Sequence, residues 1–140
     1  MTPSKQERIF KREYASELLK IASGDLGSAR ILFQHFADES GRAENIFFLS
    51  QQAIEKCLKA VLCALKLPVP MVHELGVLVG KIPASTNMEF GYELASLSEV
   101  ASIRRYEEGA LTLTYEEAAD VIEKTESILL WAQKIVSDSK

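Results

Sequence analysis

The segment from Asn45 to Lys66 is apolar almost all the way round, which leaves it one place in a fold. At about 100° per residue, Ile46, Phe47, Leu49, Ala53, Ile54, Cys57, Leu58, Ala60, Val61, Ala64 and Leu65 sweep well over half the helical wheel. A surface helix needs a narrower stripe, so this one is expected to be central. Gln52, Glu55, Lys56 and Lys59 fall within roughly 100° of one another, a thin line of amide, carboxylate and two ammoniums. Buried charges are costly unless paired, so the line must meet water, partners or a ligand. Two readings stand. One is a solvent seam in which Glu55 and Lys59 make an i,i+4 pair in the favourable order; the other is a site.

With 140 residues, 47% apolar and 26% charged, the chain is long enough for one globular domain with a real core and is not a disordered tail. A net charge of −4 and a pI near 5.3 argue against holding a duplex by broad phosphate neutralisation. The charge is uneven, however. Residues 1–72 carry ten Lys/Arg against eight Asp/Glu, a net of +2, and residues 73–140 carry six against twelve, a net of −6. A local anion site in the first half remains open.

No apolar run reaches the eighteen or so residues of a membrane span, and the N-terminus lacks the apolar core of a signal peptide. A cytoplasmic protein without membrane contact is expected. Cys57 and Cys63 sit about 9 Å apart along one predicted helix, beyond disulfide reach, so both read as reduced core thiols.

Along the chain, Ser4 with Glu7 is a possible capping box for a long first helix that carries Leu18, Ala22, Leu26, Ala29, Phe33 and Phe36 at helical spacing. Gly24 and Gly27 weaken it, and a bend or a close neighbouring backbone would explain them. The short link Glu39-Ser40-Gly41-Arg42 implies an antiparallel neighbour. The central helix must end before Pro68-Val69-Pro70. A short third helix follows over about Glu74 to Lys81. Phe90, Leu94, Leu97 and Ala101 mark a fourth to about Arg105, ended by Gly109. Thr114 with Glu117 is a second capping box, opening a fifth helix whose face is Ala118, Val121, Ile122, Thr125, Ile128, Leu129, Ala132, Ile135 and Val136. With no repeats and no persuasive strand alternation, the chain reads as an all-α, antiparallel up-and-down bundle of about five helices, one of them short.

Few constellations carry chemistry. Arg30 and His35 have an Arg-x4-His spacing, but five residues of helix turn the two side chains about 140° apart, away from any common phosphate. Two distant histidines and two divergent cysteines do not supply a metal site, and no cofactor is expected. His73 lies where the loop after the prolines enters a helix, placed either to cap backbone donors or to face a ligand. Arg104, Arg105 and Tyr106 offer two guanidiniums and a phenol that suit a phosphate and a base, or simply offset a helix dipole.

Taken in order, Gly24-Asp25-Leu26-x2-Ala29, Gln51-Gln52-Ala53-x-Glu55-Lys56-x2-Lys59-Ala60, His73-Glu74-Leu75 and Arg105-Tyr106 resemble a HEPN domain, the helical module named for higher eukaryotes and prokaryotes nucleotide-binding. The resemblance covers about Ala15 to Val136, within a single domain over 1–140 whose residues 1–14 form an N-terminal helical extension. It implies a compact helical domain, commonly a homodimer, often the partner of a minimal nucleotidyltransferase in toxin-antitoxin or stress-response pairs. Some members cut RNA with a late Arg-x4-6-His motif. Here no histidine follows Arg104 or Arg105, and Glu107 stands where proline is frequent, beside Glu108. The expectation is a non-catalytic module binding a nucleotide or a nucleotidyltransferase partner. Its ligand-binding candidates are Gln52, Glu55, Lys56, Lys59, His73, Arg104, Arg105 and Tyr106. An RNA-cleaving toxin with a diverged site and a purely structural dimerisation subunit are the alternatives.

Overall fold

A computed structural model describes residues 6–36, 43–91, 93–94 and 114–139. Three long helices make the body: α1 (Tyr14–Gln34), α2 (Ala43–Ala64) and, after a short α3 (Leu75–Lys81), α4 (Tyr115–Asp138). The chain is an all-α bundle, to which the described residues add a two-stranded sheet with two residues in each strand.

The width of the apolar arc decides who sits in the middle. On α2, Ile46, Phe47, Ala53, Ile54, Cys57, Leu58, Ala60 and Val61 are all buried, while α1 and α4 each bury one face on it. α1 contributes Leu18, Ala22, Leu26 and Ala29 at three- and four-residue spacing, and α4 contributes Ala118, Val121, Ile122, Ile128, Leu129 and Ala132. α1 runs against both neighbours. Its start packs Ala15 and Leu18 among Ala60, Cys63 and Val136 near the ends of α2 and α4. Its end stacks Phe33 on Tyr115 at 4.8 Å, at the start of α4.

The termini follow local rules. Thr114 accepts from the Glu117 backbone while Glu117 accepts from the Thr114 N–H, both at 3.1 Å, so the second capping box forms as expected. α2 closes with a Schellman motif: the Leu67 N–H donates to Leu62 and the Lys66 N–H to Cys63, with Lys66 in the left-handed region at φ 60°. Pro68 then prevents continuation.

The first capping box does not open a helix. Glu7–Arg8 is a strand, β1, antiparallel to β2 (Val69–Pro70), and α1 begins only at Tyr14. The helical extension expected over 1–14 is therefore corrected at Glu7 and Arg8, while Ser4 lies outside the described residues. An isolated Ser-x-x-Glu competes poorly with the partner strand that Val69 and Pro70 provide, and the Gln6 carbonyl also accepts from the Met71 N–H at 2.8 Å. Gly24 and Gly27 leave α1 continuous, and a Cβ added at either would meet nothing within 4 Å, so no close neighbour explains them. The link 37–42 lies outside the described residues, as does the predicted fourth helix beyond its first turn, where the Leu94 N–H reaches Phe90. Cys57 and Cys63 are both free and buried, and burial pushes the Cys57 thiol up to about 12.

Candidate functional site

Glu55 is the pivot. It belongs to the polar line of α2, yet its side chain is only 1% exposed, so its carboxylate must be satisfied by neighbours. Lys59, one turn later on the same helix, donates to Oε2 at 3.1 Å. The Lys56 ammonium lies 3.7 Å from the same oxygen and donates to the Gln52 amide oxygen at 3.0 Å. From outside the helix, His73 Nδ1 meets Oε1 at 3.1 Å and Oε2 at 3.2 Å. The i,i+4 pair expected from sequence exists, but the solvent-seam reading is corrected: the carboxylate is sealed in, with its cations as the lid.

His73 is held there by backbone that the sequence disguises. The Schellman turn and buried Pro68 redirect the chain, the β1–β2 pair fixes Val69 and Pro70, and α3 anchors the far side through buried Leu75 and Leu78. The loop between them lays the imidazole over Glu55. His73 does not cap α3, whose N-cap is Glu74 with no side-chain bond. Its side chain is 82% exposed, so with Nδ1 turned to Glu55 the other edge faces solvent. Each ammonium has three donors. Among the described residues Lys59 spends one on Glu55 and Lys56 one on Gln52, which leaves each of these partly buried ammoniums, 12% and 20% exposed, with further donors beside the imidazole.

Asp25 completes the cluster from α1. Burial raises its pKa; the field of Lys56 opposes that rise and the field of Glu55 adds to it. Sequence reasoning did not single Asp25 out as a site residue. Its signal was a carboxylate at the same three- and four-residue spacing as Leu18, Ala22 and Ala29.

Of the eight candidates, Gln52, Glu55, Lys56, Lys59 and His73 come together. Arg104, Arg105 and Tyr106 lie outside the described residues. Arg30 is engaged elsewhere, 2.6 Å from Glu126 on α4, and His35 is the C-cap of α1. No group of three or more His, Cys, Asp or Glu able to hold a metal occurs among the described residues.

A buried acid under two lysines and a histidine, on the wide apolar helix of a bundle, agrees with the resemblance drawn from the motifs. The model of the HEPN domain matches residues 15–135, nearly the whole chain. The chain belongs to the HEPN domain family. That membership makes it a nucleotide- or RNA-related module at the level of the family. Neither curated proteins nor solved structures give a match. Among the described residues no helix of this HEPN domain is long and apolar enough to cross a membrane.

Proposed function

We propose that this HEPN domain is a non-catalytic module that binds a nucleotide, alone or presented by a minimal nucleotidyltransferase partner. Its phosphates would lie on the surface formed by Lys56, Lys59 and His73. The observation that carries the reading is the ammonium donors left over, among the described residues, once Glu55 and Gln52 are satisfied, next to an imidazole edge open to solvent. Glu55 holds these cations in register but, being sealed beneath them, does not meet the ligand. Arg105 and Tyr106 extend the proposal from the motif alone, as a guanidinium for phosphate and a ring for the base.

The test is the thermal midpoint with and without ATP, GTP, CTP and UTP, repeated on Lys56→Ala and Arg105→Ala. Ligand at about a hundred times its dissociation constant stabilises by about 2.7 kcal/mol, several degrees for a domain of this size. The expected result is a shift with at least one nucleotide, reduced in Lys56→Ala. No shift with any of the four removes the nucleotide and leaves the protein partner to be sought by co-purification.

One observation favours a second reading, RNA cleavage. An exposed imidazole oriented by a buried carboxylate is the arrangement a general base needs. Cleavage of a mixed RNA pool in excess chelator, abolished by His73→Ala, would establish it; intact RNA at micromolar protein would remove it.

A further inference from the structure

Arg12 carries donors that the fold does not use. Its backbone is pinned, because the Lys11, Arg12 and Glu13 carbonyls accept from the Tyr14, Ala15 and Ser16 N–H groups, and the Lys11 carbonyl also accepts from the Cys63 thiol at 3.1 Å. Its side chain is unpaired. Nε and Nη2 are both buried, and among the described residues neither has a hydrogen-bond partner. These two nitrogens share one edge of the planar guanidinium, where their N–H bonds point side by side in the fork that grips a pair of oxygens. A buried donor without an acceptor is destabilising, the more so when charged, and nearly all such groups in folded proteins find a partner. The neighbouring carboxylate of Glu13 does not supply one.

A cavity lies beside it. Arg12 lines a space of about 370 Å³ together with Glu13, Ser16 and Val136, between the start of α1 and the last turn of α4. Ser16 and Val136 also line a second space of about 330 Å³, which continues along the same seam to Ser23 and Gln133. Each is the size of a small-molecule site, roughly 300–1,000 Å³. The charges around them nearly cancel, since Glu13 stands next to Arg12 and Lys20 is already held by Glu17 at 3.4 Å. A single cationic fork in that setting suits a group with one negative charge and two coplanar oxygens. A carboxylate is that group, whereas a phosphate monoester brings close to two charges.

We infer that the seam between α1 and α4 at Arg12 is a binding site for a small carboxylic acid, whose carboxylate takes both N–H groups of the Arg12 edge as the last side-chain torsions turn that edge into the cavity. The Ser16 and Ser23 hydroxyls and the Gln133 amide then meet a short polar body. The site is separate from Lys56, Lys59 and His73, which belong to α2 and the loop before α3, and does not rest on the nucleotide reading.

Nuclear magnetic resonance of the whole isotope-labelled chain tests it, with acetate, lactate and N-acetylglycine as the probes and inorganic phosphate and sodium chloride, at equal ionic strength, as the controls. The Arg12 Nε–H resonance, identified by its disappearance in Arg12→Lys, is expected to shift and saturate at millimolar concentration of at least one carboxylate and to stay in place in chloride. Ser16→Leu, which fills the cavity and keeps Arg12, should lose the saturating shift while the Nε–H resonance remains. In chloride alone Arg12→Met is expected to melt no lower than wild type, because it removes a buried donor edge that has no acceptor, and carboxylate should raise the midpoint of wild type only. No saturating shift with any of the three carboxylates, an equal shift in chloride, saturation by phosphate in their place, or an Arg12→Met protein that melts below wild type in chloride would each overturn the inference.

Discussion

The Glu55 cluster and the Arg30–Glu126 pair are the same chemistry in two settings. Arg30 and Glu126 make the shorter contact, 2.6 Å against 3.1 Å for Lys59 and Glu55, but their side chains are 46% and 52% exposed against 12% and 1%. Distance alone would rank the surface pair first. Burial reverses the ranking, because water screens the surface charges in both the folded and unfolded states, whereas Glu55 loses its hydration on folding and, among the described residues, is compensated by Lys59, Lys56 and His73. The surface pair ties α1 to α4 without depending on its partner. The buried cluster is an interlocked unit in which removing one member strands the others.

Removing Glu55 tests this asymmetry most severely. Glu55→Ala leaves two partly buried ammoniums without their carboxylate, and breaking a buried pair from one side costs about 3–5 kcal/mol. Urea unfolding should show that loss. If it reflects stranded charge rather than a lost contact, replacing Glu55 by Leu and Lys59 by Met together should recover at least half of it, since an apolar pair of similar volume is often neutral in place of a buried ion pair. A double variant as unstable as Glu55→Ala would mean that the cluster contributes packing that leucine and methionine do not reproduce.

The surface pair should respond weakly despite its length. A double-mutant cycle through Arg30→Ala, Glu126→Ala and the double variant is expected to give a coupling below about 1 kcal/mol, smaller still at high salt. A coupling equal to that between Glu55 and Lys59 would erase the distinction drawn from burial.

The two settings also differed in how visible they were beforehand. Gln52, Glu55, Lys56 and Lys59 could be read as one line because all four lie on a single helix, where the 3.6-residue period converts spacing directly into neighbourhood. The breadth of the apolar arc on α2 likewise announced a central helix, and Thr114 with Glu117 announced the start of α4. The partners from other elements were hidden, since no period links Asp25 or His73 to Glu55. His73 depends on a clasp of two residues per strand, too short for any alternation to show, and the Ser4–Glu7 spacing pointed instead to a helix across β1. Arg30 was noticed for a spacing to His35 that the structure does not use, while its real partner, Glu126, belongs to the other end of the chain.

Asp25 stands between the two settings and gives the smallest expected effect. It is less buried than Glu55 and shows no hydrogen bond to the cluster, yet burial raises its pKa above the ordinary 3.8, with Lys56 opposing and Glu55 reinforcing the rise. A raised folded-state pKa means that the protonated acid suits the fold better than the carboxylate. Its favourable contribution is therefore fully present below the unfolded value and is lost as pH rises through the raised one. Asp25→Asn, which cannot ionise, should be at least as stable as wild type at neutral pH, and the difference should close as pH falls to 3.8. Urea midpoints across that window for the two proteins decide it. An asparagine variant that is less stable at neutral pH would show that attraction to Lys56 outweighs burial, and would place Asp25 with Glu55 as a working counter-ion of the lysines.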